Sequence, residues 1–250
     1  MKLLSLNIQR GKYISTVIEF IKREQFDAMC FQEVAGGTFG YKGIDCFEIL
    51  RQALPLYRTE METMISLAAD PEAYFANAVF IRSMLSLVAR ETIWLKEKQI
   101  ITSTPSNFSE SPRCVLVVAA QMGDRIIKIM SGHLAWSPTP DDTPEKLRQG
   151  EILLSWFERH KGEPFLFGAD FNVDPSSIIV SKLSQYGRNL TVEFGITNTL
   201  HPKLHRAQNI FPRGLAVDFI FSSPDIDVTK FYPTVEDLSD HIGLVGEFVL

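Results

Sequence analysis

Residues 165–175, Phe-Leu-Phe-Gly-Ala-Asp-Phe-Asn-Val-Asp-Pro, constrain the fold more than any other stretch. Phe165, Leu166 and Phe167 form the short apolar run of a buried strand, and Pro164 before them suits a strand start. Gly168 and Ala169 remove side-chain bulk where the strand should end. Asp170 and Asn172 lie two apart, so on an extended chain both face the same side. A carboxylate and an amide held together at a strand's end can bind a water and an oxyanion at once. That suits hydrolysis of a phosphate ester. Asp, Asn and Pro are also ordinary turn residues, so this stretch alone leaves turn and site readings open.

Apolar runs closed by polar residues recur along the chain. Lys2 to Ile8 reads as a buried strand ending in Asn7-Ile8-Gln9-Arg10-Gly11. Ile14, Val17, Ile18 and Ile21 follow at helical spacing to about Glu24. Ala28 to Phe31 is a second buried strand, closed by Gln32-Glu33-Val34, which gives a βαβ-like opening. A carboxylate such as Glu33 in an apolar strand is costly unless paired or bound to a cation; the cation is the favoured reading over an exposed strand end. Ile44 to Leu54 reads as a helix stopped by Pro55. Thr63 to Ala68, Ala78 to Arg82 and Leu85 to Leu95 read as strands, while the acidic, aromatic stretch Asp70 to Asn77 gives no assignment. Gln99 to Arg113 is a Ser-, Thr- and Pro-rich loop carrying Phe108, and its length points to substrate contact.

Cys114 to Met122 and Arg125 to Met130 form a hairpin about Gly123-Asp124 that runs into Ser131-Gly132-His133-Leu134. Asp141 to His160 is the best helix, with Thr143 as N-cap, Pro144 in the first turn, and Leu147, Leu154 and Phe157 inward. Pro175 to Tyr186 reads as a short helix. No acidic residue occurs from Gly195 to Val217, where His201, Lys203, His205, Arg206 and Arg213 gather around Phe211. That is either a solvated loop or a basic arm over an anionic substrate. Leu215 to Phe221 is a strand with Asp218 in its middle, and Leu238-Ser239-Asp240-His241-Ile242-Gly243 leads into a terminal strand, Leu244 to Leu250.

With 250 residues the chain can bury a large core without staples. No linker or composition break divides it, so one domain over residues 1–250 is the expected count. A net charge of -5 disfavours non-specific coating of long nucleic acid. Three widely spaced cysteines, Cys30, Cys46 and Cys114, show no metal spacing and read as buried thiols. The first residues are too short an apolar segment for a signal peptide, and no run approaches membrane-spanning length. A cytoplasmic monomer with no membrane span is the expectation.

The strand-end polar residues Asn7, Glu33, His133, Asp170, Asn172, Asp218, Asp240 and His241 span almost the whole sequence. Their segments are Ser5-Leu6-Asn7-Ile8, Phe31-Gln32-Glu33-Val34, Ser131-Gly132-His133-Leu134, Gly168-Ala169-Asp170-Phe171-Asn172, Val217-Asp218-Phe219-Ile220 and Ser239-Asp240-His241-Ile242-Gly243-Leu244. In this order the chain resembles the endonuclease/exonuclease/phosphatase superfamily, the DNase I-like fold. The resemblance implies an α/β (α+β) four-layered sandwich, two packed mixed sheets flanked by helices. It implies Mg²⁺ or Mn²⁺ at Glu33, with Asn7 and Asp240 close to metal or phosphate. Asp170 and Asn172 would hold the attacking water and a phosphoryl oxygen, Asp218 and His241 would form a dyad, and His133 would face the phosphate. Hard oxygen ligands suit Mg²⁺. Arg113 would add a donor, and Lys203, Arg206 and Arg213 would meet the substrate. Two departures stand out: Gln9 where an acid is usual in the DNA-repair branch, and Ala216 where many members have Arg. The implied activity is a Mg²⁺-dependent phosphodiesterase or nuclease acting on nucleic acid ends or a small phosphodiester. The alternatives are a phosphomonoesterase on inositol phosphates, a sphingomyelinase-like phosphodiesterase, or a silent relative that binds a partner.

Overall fold

The computed structural model describes residues 1–103, 111–206, 211 and 214–250. Phe108 and Arg213 lie outside the described residues. Strand β1 (Lys2–Asn7), helix α1 (Ile14–Glu24) and strand β2 (Ala28–Gly36) make the opening βαβ unit, with β1 and β2 parallel. Helix α2 (Cys46–Ala53) begins later than the apolar spacing suggests, because the Asp45 side chain caps it by accepting from Glu48 N. Strands β3 (Tyr57–Leu67) and β4 (Asp70–Arg82) pair antiparallel over most of their length. The stretch 70–77 is therefore the first half of β4, where Ala73 and Phe75 are buried and Glu72 is exposed.

Strands β5 (Ser86–Lys96), β6 (Gln99–Ile101), β7 (Arg113–Met122) and β8 (Arg125–His133) precede helix α3 (Pro144–Arg159), capped by Thr143 as its sequence predicts. Then come β9 (Phe165–Asp170), α4 (Ile178–Leu183), β10 (Arg188–Asn189), α5 (Leu190–Glu193), β11 (Asp218–Ser222), β12 (Asp227–Pro233) and β13 (Leu244–Val249). Asp218 opens its strand and is not its middle residue. Before it, Val217 N and Asp218 N both donate to Thr199 Oγ1, at 3.0 and 3.1 Å, instead of to a neighbouring strand.

Two mixed sheets result. The seven-stranded one runs β12-β13-β1-β2-β4-β3-β6 and the six-stranded one β10-β11-β9-β8-β7-β5. Alternate side chains of the central strands serve different layers, which is why these strands are apolar on both faces. Leu4, Leu6, Met29, Phe31 and Phe80 pack against Val17, Phe20, Ile21 and Leu50 of α1 and α2. Leu3, Cys30 and Val79 instead meet Leu116, Val118, Ile129 and Leu166 of the other sheet. Beyond that sheet, Val115, Val117, Phe165 and Phe167 pack under Leu153, Trp156 and Phe157 of α3 and Ile179 of α4. Each fully buried large apolar side chain contributes about 1.5–3 kcal/mol. The layers are helices, sheet, sheet, helices, the four-layered sandwich implied by the sequence.

Gly168 lies inside β9, two residues before its end. Its small size is required by the opposite sheet: an added Cβ would sit 2.5 Å from Ser5 Oγ and 2.6 Å from Ser5 Cβ. Around this close approach, Gln32 Nε2 donates to Ser131 Oγ at 3.1 Å, and Ser131 Oγ donates to Phe31 O at 3.0 Å. The sheets are thus pinned by polar contacts next to the ends of β1, β2, β8 and β9. Among the described residues, no helix is long and apolar enough to cross a membrane.

Candidate active site

Sheet register brings distant polar residues to one end of the sandwich. In the parallel pair β1 and β2, Asn7 lies opposite Gln32, the residue before Glu33. In the parallel pair β8 and β9, His133 lies opposite Asp170, and antiparallel β11 places Asp218 opposite the same residue. The sheets meet there, and Asn7 Nδ2 donates to Asp170 Oδ2 at 3.0 Å. His133 Nε2 stands 3.5 Å from that oxygen. His241, ahead of β13, has Nδ1 2.9 Å from Asp218 Oδ2 and Nε2 3.9 Å from Asp170 Oδ2. Asp170 Oδ2 is thus the meeting point of both sheets.

The backbone is strained where it serves this site. Gln9, Arg10, Glu33 and Asn172 all adopt the left-handed region, at φ 46°, 55°, 54° and 53°. Glu33 falls in a bulge, where the register between β2 and β4 shifts between Phe31 and Val34. The extra residue turns its carboxylate away from the ladder. Asn172 does not continue an extended strand, so it and Asp170 do not share a side by strand alternation. Instead Asn172 N donates to Asp170 Oδ1 at 3.0 Å, and Asn172 Nδ2 donates to Leu134 O at 3.2 Å. The stretch 170–172 is both turn and site.

Arg113 opens β7 and is only 2% exposed. Its Nε donates to Leu134 O at 3.0 Å and a terminal nitrogen to Pro112 O at 3.2 Å. No carboxylate lies within ion-pair distance of it among the described residues. Burial pulls its pKa down, and Glu33 and Asp170 partly offset that. Of the basic arm, Lys203 and Arg206 are exposed, while the His205 ring stands edge-on to the His241 ring with centroids 5.5 Å apart. His201 is turned elsewhere, with Nε2 2.8 Å from Asp237 Oδ1.

Electrostatics divide the site into unlike parts. Burial raises the Asp170 carboxyl, and the like charge of Asp218 adds to the rise. Burial works against the His241 imidazolium, but Asp218 and Asp170 hold its pKa well above the ordinary value. Burial, then Arg113 and His241, keep His133 neutral. A basic carboxylate, a cationic imidazole and a neutral imidazole therefore surround one small space, a division suited to proton transfer beside an anion.

Asp170, Asp218 and His241 offer ligand atoms within 4.8 Å of one another. Their oxygens and nitrogens are already engaged with each other, which suits a proton-handling group. The residues around Glu33 fit a hard divalent cation better. Burial and the nearby Asp240 charge both raise the Glu33 carboxyl, an excess of negative charge that a cation would relieve. Asn7 adds an amide to this all-oxygen set. Gln9, a departure in the sequence, joins it: Nε2 donates to Asp240 Oδ2 at 2.6 Å, and the buried Oε1 has no hydrogen-bond partner among the described residues. That oxygen is one more neutral ligand atom for a cation beside the carboxylates.

Sequence reading missed Lys146. It lies three, four and seven residues before Gln149, Gly150 and Leu153 on the buried stripe of α3. The signal was weak, a lysine about two turns before Leu153 and Leu154 on the inward face, with Gln149 and Gly150 between them. Its Nζ donates to Asn172 O at 2.7 Å.

A sequence model described as the endonuclease/exonuclease/phosphatase family matches residues 4–241. A search of curated protein sequences finds no match. Among solved structures, an endonuclease/exonuclease/phosphatase from Bacteroides vulgatus superposes with TM-score 0.77 at 17% identity, covering 100% of this chain and 98% of that one. A mannosyl-6-phosphatase of Bacteroides thetaiotaomicron gives TM-score 0.71 at 16% identity over 100% of both chains. The human Nocturnin catalytic domain with bound sulfate gives 0.73 at 15% identity, over 100% of this chain and 94% of that one. At such identities these structures show a shared fold. The family match over nearly the whole chain shows more: this protein belongs to the endonuclease/exonuclease/phosphatase family, whose members are generally hydrolases of phosphoesters.

Proposed function

We propose that the protein is a divalent-cation-dependent phosphodiesterase that attacks phosphorus with water. The observation that carries this reading is the convergence of Asn7, His133 and His241 on one oxygen of Asp170, at 3.0, 3.5 and 3.9 Å. Asp170, raised by burial, is the base: its carboxylate takes a proton from water as the oxygen bonds to phosphorus and the bond to the leaving oxygen breaks. Asn7 holds Asp170 in place through its amide. The leaving oxygen ends protonated from solvent.

Charge on the phosphoryl oxygens meets three donors fixed before substrate arrives: the Arg113 guanidinium, the His241 imidazolium and the second N–H of the Asn172 amide. Asp218 fixes the His241 ring through Nδ1 and favours its charged form. Neutral His133 offers one N–H, and its buried Nδ1 has no hydrogen-bond partner among the described residues. Glu33, Asn7 and Asp240 would hold Mg²⁺ or Mn²⁺. A bound cation neutralises charge on the phosphoryl and leaving oxygens. Lys203, Arg206 and Arg213 would extend substrate contact along the arm that His205 anchors to the site. The chain is proposed to act as a monomer in the cytoplasm.

The mannosyl-6-phosphatase neighbour keeps a monoester reading in play, so the test must separate it. Hydrolysis of a chromogenic phosphodiester and a monoester is measured with Mg²⁺, with Mn²⁺ and with EDTA, then on single-stranded and abasic DNA, 5′-tyrosyl ends, cyclic nucleotides and inositol phosphates. Cation-dependent diester cleavage abolished by Asp170→Ala and by His241→Ala is the expected result. Activity surviving both substitutions refutes the assigned roles. Monoester cleavage alone replaces the diester reading, and no cleavage at all replaces it with a binding role.

A further inference from the structure

We infer that Lys146 is a positioning residue for the reaction proposed above: its ammonium clamps the Asn172 turn to the 139–141 loop. Lys146 is 0% exposed. Its Nζ donates to Asn172 O at 2.7 Å, Asp141 O at 3.1 Å and Thr139 O at 3.3 Å. These three bonds use every N–H the group has. None goes to a carboxylate, and the structure gives Lys146 no ion pair among the described residues. A methionine would fill similar space without the penalty of burying a charge. What the lysine adds is three converging donors.

The carbonyls belong to two segments that must hold still together. Thr139 and Asp141 follow the strand end that carries His133. Asn172 follows the strand end that carries Asp170 and sits at φ 53°, a conformation that persists only when its surroundings impose it. Other bonds tie the same two segments. Asp174 N donates to Pro140 O at 3.0 Å, and Ile178 N to Asp142 Oδ2 at 2.8 Å. From the same helix, Gln149 Oε1 accepts from Ala135 N at 2.9 Å, just past His133. Lys146 is the cationic member of this set, beside the Asp142 carboxylate, and it is the one that touches Asn172 itself. Its effect on chemistry therefore runs through the direction of the Asn172 amide and the Asp170 Oδ1 contact to Asn172 N.

Burial lowers the Lys146 pKa to about 8, against the pull of Asp141, Asp170 and Asp142, the acidic groups that face it. Above that pH the group loses a proton and its charge, and all three bonds weaken. This supplies a perturbation that needs no mutation.

The experiment uses the full chain as wild type, Lys146→Met and Lys146→Arg. Amide hydrogen exchange is followed in segments 134–142 and 170–174 and in the reference segments α1, β1 and β2. Steady-state kinetics with Mg²⁺ use whichever phosphoester wild type cleaves. Lys146→Met is expected to speed exchange in the two clamped segments by about tenfold or more and leave the reference segments unchanged. It should lower kcat by roughly 10²-fold with KM within about threefold, the scale of an ångström-level misplacement. Lys146→Arg should recover at least tenfold of that loss. In wild type, exchange corrected for its intrinsic rate should rise in the same two segments as pH passes about 8. The inference is overturned if exchange rises equally everywhere, if it stays unchanged in both segments, or if a folded Lys146→Met keeps wild-type kcat. Should Lys146→Met not fold, the wild-type pH series alone decides. Should wild type cleave no phosphoester, the proposed function fails while the exchange data still decide the clamp.

Discussion

Replacing Arg113 with methionine should leave the fold nearly as stable as before and remove most of the activity. The stability side is a balance of two terms. Arg113 donates to Leu134 O and Pro112 O, and hydrogen bonds to charged groups contribute about 1.5–3 kcal/mol each. Leu134 O is not orphaned by the change, since Asn172 Nδ2 also donates to it at 3.2 Å. Against this loss stands the penalty of burying a guanidinium at 2% exposure with no carboxylate partner among the described residues, several kcal/mol per ion in real proteins. Methionine also packs well against Phe75, whose ring centre lies 5.9 Å from the guanidinium carbon. The terms cancel to within about 2 kcal/mol, less than about 8 °C in Tm for a chain of this size. Activity has no such compensation. One preorganised donor to a developing oxyanion in a water-excluded site is worth about 3–4 kcal/mol, or 10²–10³ in kcat. The assay is thermal unfolding and phosphodiester kinetics on one preparation of wild type, Arg113→Met and Arg113→Lys, with lysine restoring charge but not the forked geometry and so only part of the rate. A folded Arg113→Met with full activity would refute the role. So would a fall of more than about 10 °C in Tm with activity lost in proportion to unfolding, because Arg113 would then be a structural residue.

Three further outcomes follow from the same geometry. Gly168→Ala should cost about 1–3 kcal/mol by overpacking, because the new Cβ meets Ser5 Oγ at 2.5 Å; urea unfolding of the Ser5→Gly, Gly168→Ala pair should recover most of that loss, and an undiminished loss would place the strain elsewhere. Asp170, raised by burial to about 7, must be ionised to act, so kcat should fall as pH drops through that value, or lower when a cation is bound. The sign for stability is opposite: a carboxyl with a raised folded pKa favours the fold most at low pH and loses that contribution as pH rises, so the acid limb is not this group unfolding the chain. A limb unmoved by Asp218→Asn would disconnect Asp170 from it. Saturating Mg²⁺ should raise Tm in wild type, by about 2.7 kcal/mol of stability at a hundredfold excess over Kd, and not in Glu33→Gln; an equal rise in both would remove Glu33 from the metal site.

How much of this was legible before the structure depended on the range of each interaction. Strand cores such as Ala28 to Phe31 and Phe165 to Phe167 announce themselves because both faces are covered, and burial is written in the residue type. The N-cap and first turn at Thr143-Pro144 are local chemistry and came through unchanged. The stretch 70–77 did not, because its partner strand, not its own propensity, makes it a strand. Polar strand ends were readable as candidates, and sheet register then places Asn7, His133, Asp170 and Asp218 together. The bulge at Glu33 was not readable, because glutamate rarely adopts φ near 54° without the structure around it, while at Asn172, a residue that tolerates that region, the turn and the strand-end site stayed undivided. Lys146 shares its face with Gln149 and Gly150 before Leu153, so it reads as the polar start of a helix, and a sequence cannot tell a buried ammonium from one that reaches solvent along its stem.

The site's accuracy rests on register more than on loops. Asp170 is fixed by β8 on one side and β11 on the other, and β1 reaches it across the sheet interface through Asn7. A slip of one residue in β9 would turn Asp170 to the opposite face and bring Ala169 or Phe171 opposite His133. The same slip would carry Leu166 out of the layer between the sheets and push Phe165 or Phe167 into it, against Cys30 and Leu116. It would also move Gly168 from Ser5 and place a side chain where even an added Cβ would lie 2.5 Å from Ser5 Oγ. The core therefore penalises every register but one, and the one it permits is the register that assembles the site. Local strain at Glu33 and Asn172 is tolerable for the same reason: the strands around them are held by packing that neither residue supplies.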